Sequence, residues 1–267
     1  MKWLLVALSV VAFALPAPAA EIVAHRGESA DAPENTLASF RLAWDQRDDA
    51  IELDVHLTKD GQLIVCHDPD TKRTTGVPHK IKDTPFDVLR SLDAGKWKGP
   101  KWAGEKLPTL AEVLATIPDG KRCFIEIKVG PEAVPAVAKA VRESGKKPEQ
   151  MPIISFKADT LAEAKRQLPD HKAYFLANFK QDKKTKQWTG DIDQFIATAK
   201  AIHADGLDLG YQGPVDREAA RKVKAAGLAF LVWTVDDPAV AKRMIDYGAK
   251  GITTNKAAWL RGQLKRE

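Results

Sequence analysis

Cysteine is almost missing from this chain: its 267 residues carry two, Cys66 and Cys123. An exported protein could oxidise two such thiols to a disulfide, and two buried free thiols are the alternative. Both lie in apolar, strand-like runs, where buried thiols are expected. Long basic runs are lacking too, and with them the electrostatic footprint of a nucleic-acid binder. No glycine-rich loop follows the first strand-like run, which argues against a dinucleotide-binding sheet. Internal repeats and low-complexity tracts are absent. No apolar run reaches the roughly 18–20 residues that a spanning helix needs. The run Trp3–Leu15 follows Lys2 and precedes small residues in "MKWLLVALSVVAFALPAPAA". That is the pattern of a secretory signal, with Ala17 and Ala19 at the −3 and −1 positions of the cut. Residues 1–19 are set aside on this reading. It leaves 20–267 as one exported domain, periplasmic or secreted, with no membrane anchor after cleavage.

The remainder is ordinary for a globular protein, 44% hydrophobic and 29% charged, and long enough for a substantial core. The formal charge is +5, or +4 once Lys2 leaves (40 Lys and Arg against 36 Asp and Glu). That balance is compatible with anionic small molecules and equally with plain solubility. Strand-like runs fall at 21–25, 50–55, 123–128, 152–156, 172–176, 204–210, 228–235 and 251–254, alternating with helical patterns such as 36–46, 131–144, 159–168, 216–227 and 237–248. Helix starts at Thr36, Asp159 and Asp237-Pro238 and glycine stops at 145, 227 and 248 punctuate them. Strands joined by helical crossovers predict a parallel sheet. With eight such units the natural closure is a (β/α)8 TIM-type barrel, a doubly wound open sheet being the alternative.

The run 62–67 follows strand 2 too closely for a parallel connection, which needs about a dozen residues or more. A hairpin is expected, turning at Asp60-Gly61 as a two-residue loop, with Asp54 directly opposite His67. Residues 69–108 are expected as an irregular insertion at the barrel mouth and 177–190 as an exposed loop.

Barrel enzymes place their chemistry at the C-terminal ends of the strands. There the chain puts His25-Arg26, Glu52 and Asp54, His67, Glu126 and Lys128, and Trp233. Acids and imidazoles on apolar strands cost several kcal/mol unless paired, so their clustering points to a site. Glu52, Asp54 and Glu126 form a hard-oxygen set suited to one divalent cation, Ca2+ or Mg2+. The alternative is a carboxylate network neutralised by Arg26 and Lys128. His25 and His67 are the candidates for general acid and base. Arg26 and Lys128 would meet a phosphate, and Trp233 would wall a pocket or simply pack. Asp68 either orients His67 or caps the next loop. His56, His79, His171 and His203 lack such company and are expected as surface or packing residues. No Ser or Cys is placed as an activated nucleophile. The set suits phosphodiester cleavage. A binding protein that captures phosphodiesters would have no need of the histidine pair.

The stretches "AHRGESADAPENTLASF" (24–40), "IELDVHLTKDGQLIVCHDPDTKRTTG" (51–76), "LPTLAEVL" (107–114), "FIEIK" (124–128), "ISF" (154–156) and "VWTVDD" (232–237) together resemble the glycerophosphodiester phosphodiesterase family. The resemblance runs in order along the whole mature chain. It implies a TIM-type barrel and metal-dependent hydrolysis of a small-molecule glycerophosphodiester to sn-glycerol 3-phosphate and an alcohol. It matches His25 and His67 to the acid/base pair, Glu52, Asp54 and Glu126 to metal ligands, Arg26 and Lys128 to phosphate contacts, and Trp233 to the glycerol pocket. It also implies attack by the glycerol 2-hydroxyl and a cyclic phosphate. A lipid-directed phosphodiesterase of lysophospholipase D type is the alternative on the same scaffold, with Trp97 and Trp102 as its only hint. Two departures, "RDDA" (47–50) and "TTNKAAW" (253–259), are expected to lie away from the site.

Overall fold

The computed structural model describes residues 20–265, and the expected signal segment 1–19 lies outside the described residues. The first apolar run forms β1 (Glu21–Ala24) and leads to α1 (Leu37–Asp45), whose N-cap Thr36 accepts from Ser39 N. β2 (Ala50–Leu57) and β3 (Leu63–Val65) make the hairpin. Helices α2 (Lys72–Thr75), α3 (Phe86–Ser91) and α4 (Leu110–Leu114) then lead to β4 (Arg122–Ile127). The alternation resumes with α5 (Val134–Glu143), β5 (Ile153–Ser155), α6 (Ala158–Gln167) and β6 (Ala173–Ala177). A small ribbon of β7 (Lys180–Gln181) and β8 (Trp188–Thr189) occupies the expected loop and precedes α7 (Ile192–Ala201). Last come β9 (Gly206–Gly210), α8 (Arg217–Ala225), β10 (Ala229–Trp233), α9 (Pro238–Asp246), β11 (Gly251–Thr254) and α10 (Ala257–Leu264).

Eight of these strands are parallel, in the order β1-β11-β10-β9-β6-β5-β4-β2, and the pairing of β1 with β2 closes the sheet into a barrel. Alternation along each strand divides the side chains. Ile51, Leu53 and Val55 face the helices and pack with Phe40 and Ala43, whereas Phe124, Ile154, Tyr174, Leu176 and Leu231 fill the lumen. Phe124 stacks on Tyr174 with centroids 6.0 Å apart. The lumen is therefore a packed core below and a polar cavity above. Cys66 and Cys123 are buried and free, as expected.

The hairpin differs from expectation by one residue. Val55 pairs with Val65 and Leu57 with Leu63, so the residue opposite Asp54 is Cys66, whose N–H donates to Asp54 O at 3.0 Å. The cause is the turn. Thr58 O accepts from Gly61 N, Gly61 takes φ +77°, and Gln62 N donates to Thr58 Oγ1, making a three-residue loop that ends in a left-handed glycine. His67 lies beyond the ladder, and the departing chain brings it to the site. The expected irregular insertion contains α2 and α3, and Ile81, Leu89 and Leu107 pack on Ile64 and Cys66 as a small core of its own.

Candidate active site

Backbone geometry begins the site. Arg26 and Gly27 both adopt left-handed conformations, φ +56° and +79°. A Cβ on Gly27 would stand 2.7 Å from the Ser39 carbonyl carbon, so only glycine lets this turn lie against α1. The turn aims Arg26 N at Glu52 Oε2, 3.0 Å away. The next loop continues the support. Glu34 accepts from Arg26 Nη1 at 2.9 Å, and Asn35 Nδ2 donates to Asp54 Oδ2 at 2.8 Å.

β2 and β4 are neighbours, and their register sets Asp54 beside Glu126. Ligand atoms of Glu52, Asp54 and Glu126 all lie within 4.8 Å of one another, the one such cluster among the described residues. Arg26 Nε lies 3.4 Å from Asp54, while Lys128 Nζ lies 2.8 Å from Glu126 and 3.3 Å from Asp54. Two cations thus face three carboxylates, and Arg26 is shared with Glu34. Burial, then Asp54 and Glu126, raise the Glu52 carboxyl well above its usual range. Burial and Asp54 push Glu126 up to about 7. Burial opposes the ionised form of Asp54 as well, but Lys128 and Arg26 hold that carboxyl below the usual range. Asp54 Oδ1 is buried with no hydrogen-bond partner among the described residues. Three buried carboxylates crowded this closely suit a cation site, and the all-oxygen donor set fits a hard ion such as Ca2+ or Mg2+.

Both histidines engage one ring nitrogen and leave the other for chemistry. His25 Nδ1 lies 2.7 Å from Asn255 Oδ1, and Asn255 Nδ2 donates to Asp236 Oδ2 at 2.7 Å. The Asp236 contact turns the Asn255 oxygen toward His25, so Nδ1 carries the hydrogen and Nε2 is the acceptor. His67 Nδ1 meets Asp68 Oδ1 at 2.6 Å, and Arg73 ties Asp68 to Glu34 with bonds of 2.7–2.8 Å. Burial, then Arg26, push His25 down to about 4, and burial lowers His67 as well. Burial thus disfavours the protonated form of both rings.

His25, Arg26, Glu52, His67, Glu126, Lys128 and Trp233 line one cavity of about 170 Å3, with Asp54 behind them on the same strand as Glu52. All eight residues singled out from the sequence therefore converge. Trp233 packs edge-on against Phe156 at 5.5 Å and donates Nε1 to Asp208 O. Asp68 orients His67, which resolves its open assignment. The expectation that "TTNKAAW" lies away from the site is corrected, because Asn255 touches His25 directly. Sequence reasoning also missed Glu34, Asn35, Arg73, Asp236 and Asp208. For Asp208 a signal existed: it is an acid on an apolar strand, the same sign that marked Glu52.

Residues 25–258 match the profile of the glycerophosphoryl diester phosphodiesterase family. A glycerophosphodiester phosphodiesterase of Caldanaerobacter subterraneus subsp. tengcongensis is 36% identical over 239 residues, which span 88% of this chain and 93% of that one. A Bacillus subtilis protein of the same name is 32% identical over 250 residues, spanning 87% and 82%. Among solved structures, an Oleispira antarctica phosphodiesterase in complex with the product sn-glycerol-3-phosphate aligns with TM-score 0.83 and 26% identity, over 92% of this chain and 97% of that one. A Thermotoga maritima glycerophosphodiester phosphodiesterase aligns with TM-score 0.71 and 30% identity, over 91% and 98%.

Proposed function

Since the chain belongs to the glycerophosphoryl diester phosphodiesterase family, we propose that it hydrolyses glycerophosphodiesters to sn-glycerol 3-phosphate and an alcohol, using one divalent cation and the pair His25 and His67. The observation that carries this reading is the pairing of two oriented imidazoles with a cluster of three carboxylates around one cavity. The named relatives and the product held by the Oleispira antarctica protein support the substrate class.

Glu52, Asp54 and Glu126 would hold the cation, which supplies electrostatic stabilisation of charge on the phosphoryl oxygens when bound. Arg26 and Lys128 meet the remaining phosphate charge as fixed donors that need no reorganisation. One histidine accepts the proton of the attacking hydroxyl through Nε2 as the new P–O bond forms. The other enters the step protonated at Nε2 and donates that proton to the alcohol oxygen as the old P–O bond breaks, becoming the neutral ring. Asn255 and Asp68 hold the two rings in the orientation these transfers require. Glu52, Asp54 and Glu126 are buried, so these interactions act in a low-dielectric setting. The chain is further proposed to be exported through residues 1–19, which the mass of the N-terminus recovered from secreting cells would test.

The experiment is release of glycerol 3-phosphate from a panel of glycerophosphodiesters, with lysophosphatidylcholine alongside. Chelated protein is measured first, then protein given Ca2+ or Mg2+, with His67→Ala as control. Turnover restored by the cation and reduced about 10²–10⁴-fold in the variant is expected. No product from any substrate with either cation overturns the reading, and a preference for the lysolipid redirects it to lysophospholipase D chemistry.

A further inference from the structure

One acid in the cavity has no part in the chemistry above. Asp208 is 1% exposed, lines the same cavity, and has a buried Oδ1 with no hydrogen-bond partner among the described residues. β9 stands diametrically across the barrel from β2, four strands away in either direction. Its inward positions are Gly206, Asp208 and Gly210, so this carboxyl is the only side chain that β9 presents to the lumen. Register places it between Leu176 and Leu231. A carboxyl between two leucines is costly to keep, and an orphaned oxygen is costlier still. Burial, reinforced by Glu126, pushes it up to about 8. No ion pair among the described residues offsets that cost.

The two glycines flanking the acid lie close against neighbouring strands, so the cavity of about 170 Å3 opens at Asp208 itself. A Cβ at Gly210 would meet the Asn178 Cβ at 3.0 Å and lie 3.5 Å from the Trp233 ring. We propose that Asp208 is the substrate-recognition residue for the glycerol moiety, accepting a hydrogen bond from its terminal hydroxyl inside the barrel. The inference rests on the phosphodiesterase reading above. Phosphate is drawn to the opposite wall by Arg26 and Lys128, away from Asp208. The part of the substrate that reaches β9 must therefore donate hydrogen bonds, which glycerol does and phosphate does not. The glycerol portion is common to every substrate of the class, whereas the alcohol varies in size. The part of the cavity beside Asp208, lined by Leu176 and Trp233, suits the constant part, and the mouth suits the variable one. A carboxyl in either protonation form has an oxygen to accept from a hydroxyl, so recognition does not depend on its charge.

The test compares a glycerophosphodiester with its analogue lacking only the terminal hydroxyl and keeping the 2-hydroxyl. Wild-type enzyme is expected to prefer the parent in kcat/KM by about 10- to 100-fold, the worth of one buried hydrogen bond to a carboxyl group. Asp208→Leu should turn over both substrates equally, with the loss on the parent seen mainly in KM and a melting temperature no lower than wild type. Asp208→Ala, which adds no volume, carries the same test if the leucine variant does not fold. A variant that keeps the full preference overturns the inference while leaving the activity standing. A variant that keeps it but loses discrimination between ethanolamine and a neutral alcohol also overturns it, moving Asp208 to the alcohol side. Wild-type enzyme without turnover of any glycerophosphodiester overturns the parent reading, and this inference with it.

Discussion

His25 and His67 sit in different chemical settings although they face the same cavity. Asn255 meets His25 as a neutral partner whose charge lies one bond further back, on Asp236. Asp68 meets His67 directly and is itself held by Arg73. Removing either partner leaves a ring free to rotate without removing the ring. Asn255→Leu is therefore expected to lower kcat by about 10- to 100-fold with little change in KM, as for other partners that orient a working histidine. A rise in KM at unchanged kcat would place Asn255 in substrate binding instead. At this scale the acids of the site were legible because charge on an apolar strand is expensive and so asks for a reason. Asn255, Glu34 and Arg73 were not, since polar residues in loops are common and only contact across the barrel mouth gives them meaning.

At the scale of elements, the hairpin shows how little separates two registers. A two-residue and a three-residue turn are both compatible with "TKDGQ", and Gly61 at φ +77° decides for the longer one. Gly61→Ala is expected to cost about 1–2 kcal/mol, the left-handed penalty for a side chain, because nothing lies within 4 Å of the added Cβ to make it worse. A urea midpoint measurement checks this, and an unchanged midpoint would mean the turn relaxes at no cost. Elsewhere a single acid ties three elements. Asp205, just before β9, accepts from Lys172 at 2.8 Å, from Lys165 at 3.0 Å and from Ala173 N at 3.0 Å. Burial works against its ionised form, but these donors hold its carboxyl below the usual range. A depressed carboxyl stabilises the fold above its unfolded pKa of about 3.9 and loses that contribution as pH falls through the lower folded value. Asp205→Asn should thus lower stability at pH 7 by about 1–3 kcal/mol and flatten the acid limb. An acid limb of unchanged steepness in the variant would remove Asp205 from that role.

Over the whole molecule, packing and function divide along the barrel axis. Aromatic and aliphatic side chains fill the lower lumen, and Glu52, Asp54, Glu126 and Asp208 crowd the upper part. The chelated protein carries this as a stability cost. Glu52 and Glu126 are raised in the fold, while in the unfolded chain they are ionised from about pH 4.3 upward. Between pH 5 and 8 these two carboxyls bind more protons in the folded than in the unfolded chain, so their contribution to stability falls as pH rises, and Asp54 adds no slope because it is ionised in both states. A cation at about 100 times its Kd should add about 2.7 kcal/mol, seen as a higher Tm, and should remove most of the slope. Glu126→Gln is expected to melt above wild type in chelator yet show a much smaller shift with Ca2+ or Mg2+. A shift equal to wild type would move the cation elsewhere.

The barrel was determined by the sequence alone, because parallel strands buried on both faces must read as near-continuous apolar runs between helices. So was the main cluster, since the acids at 52, 54 and 126 and the imidazoles at 25 and 67 break those runs or end them. Tertiary structure alone decided the hairpin register, the partner of each imidazole and the place of Asp208 across from β2. The Asn255 partner of His25 and the place of Asp208 depend on contacts between residues far apart in the chain. The register and the choice of Asp68 for His67 are settled among local alternatives that the sequence leaves open.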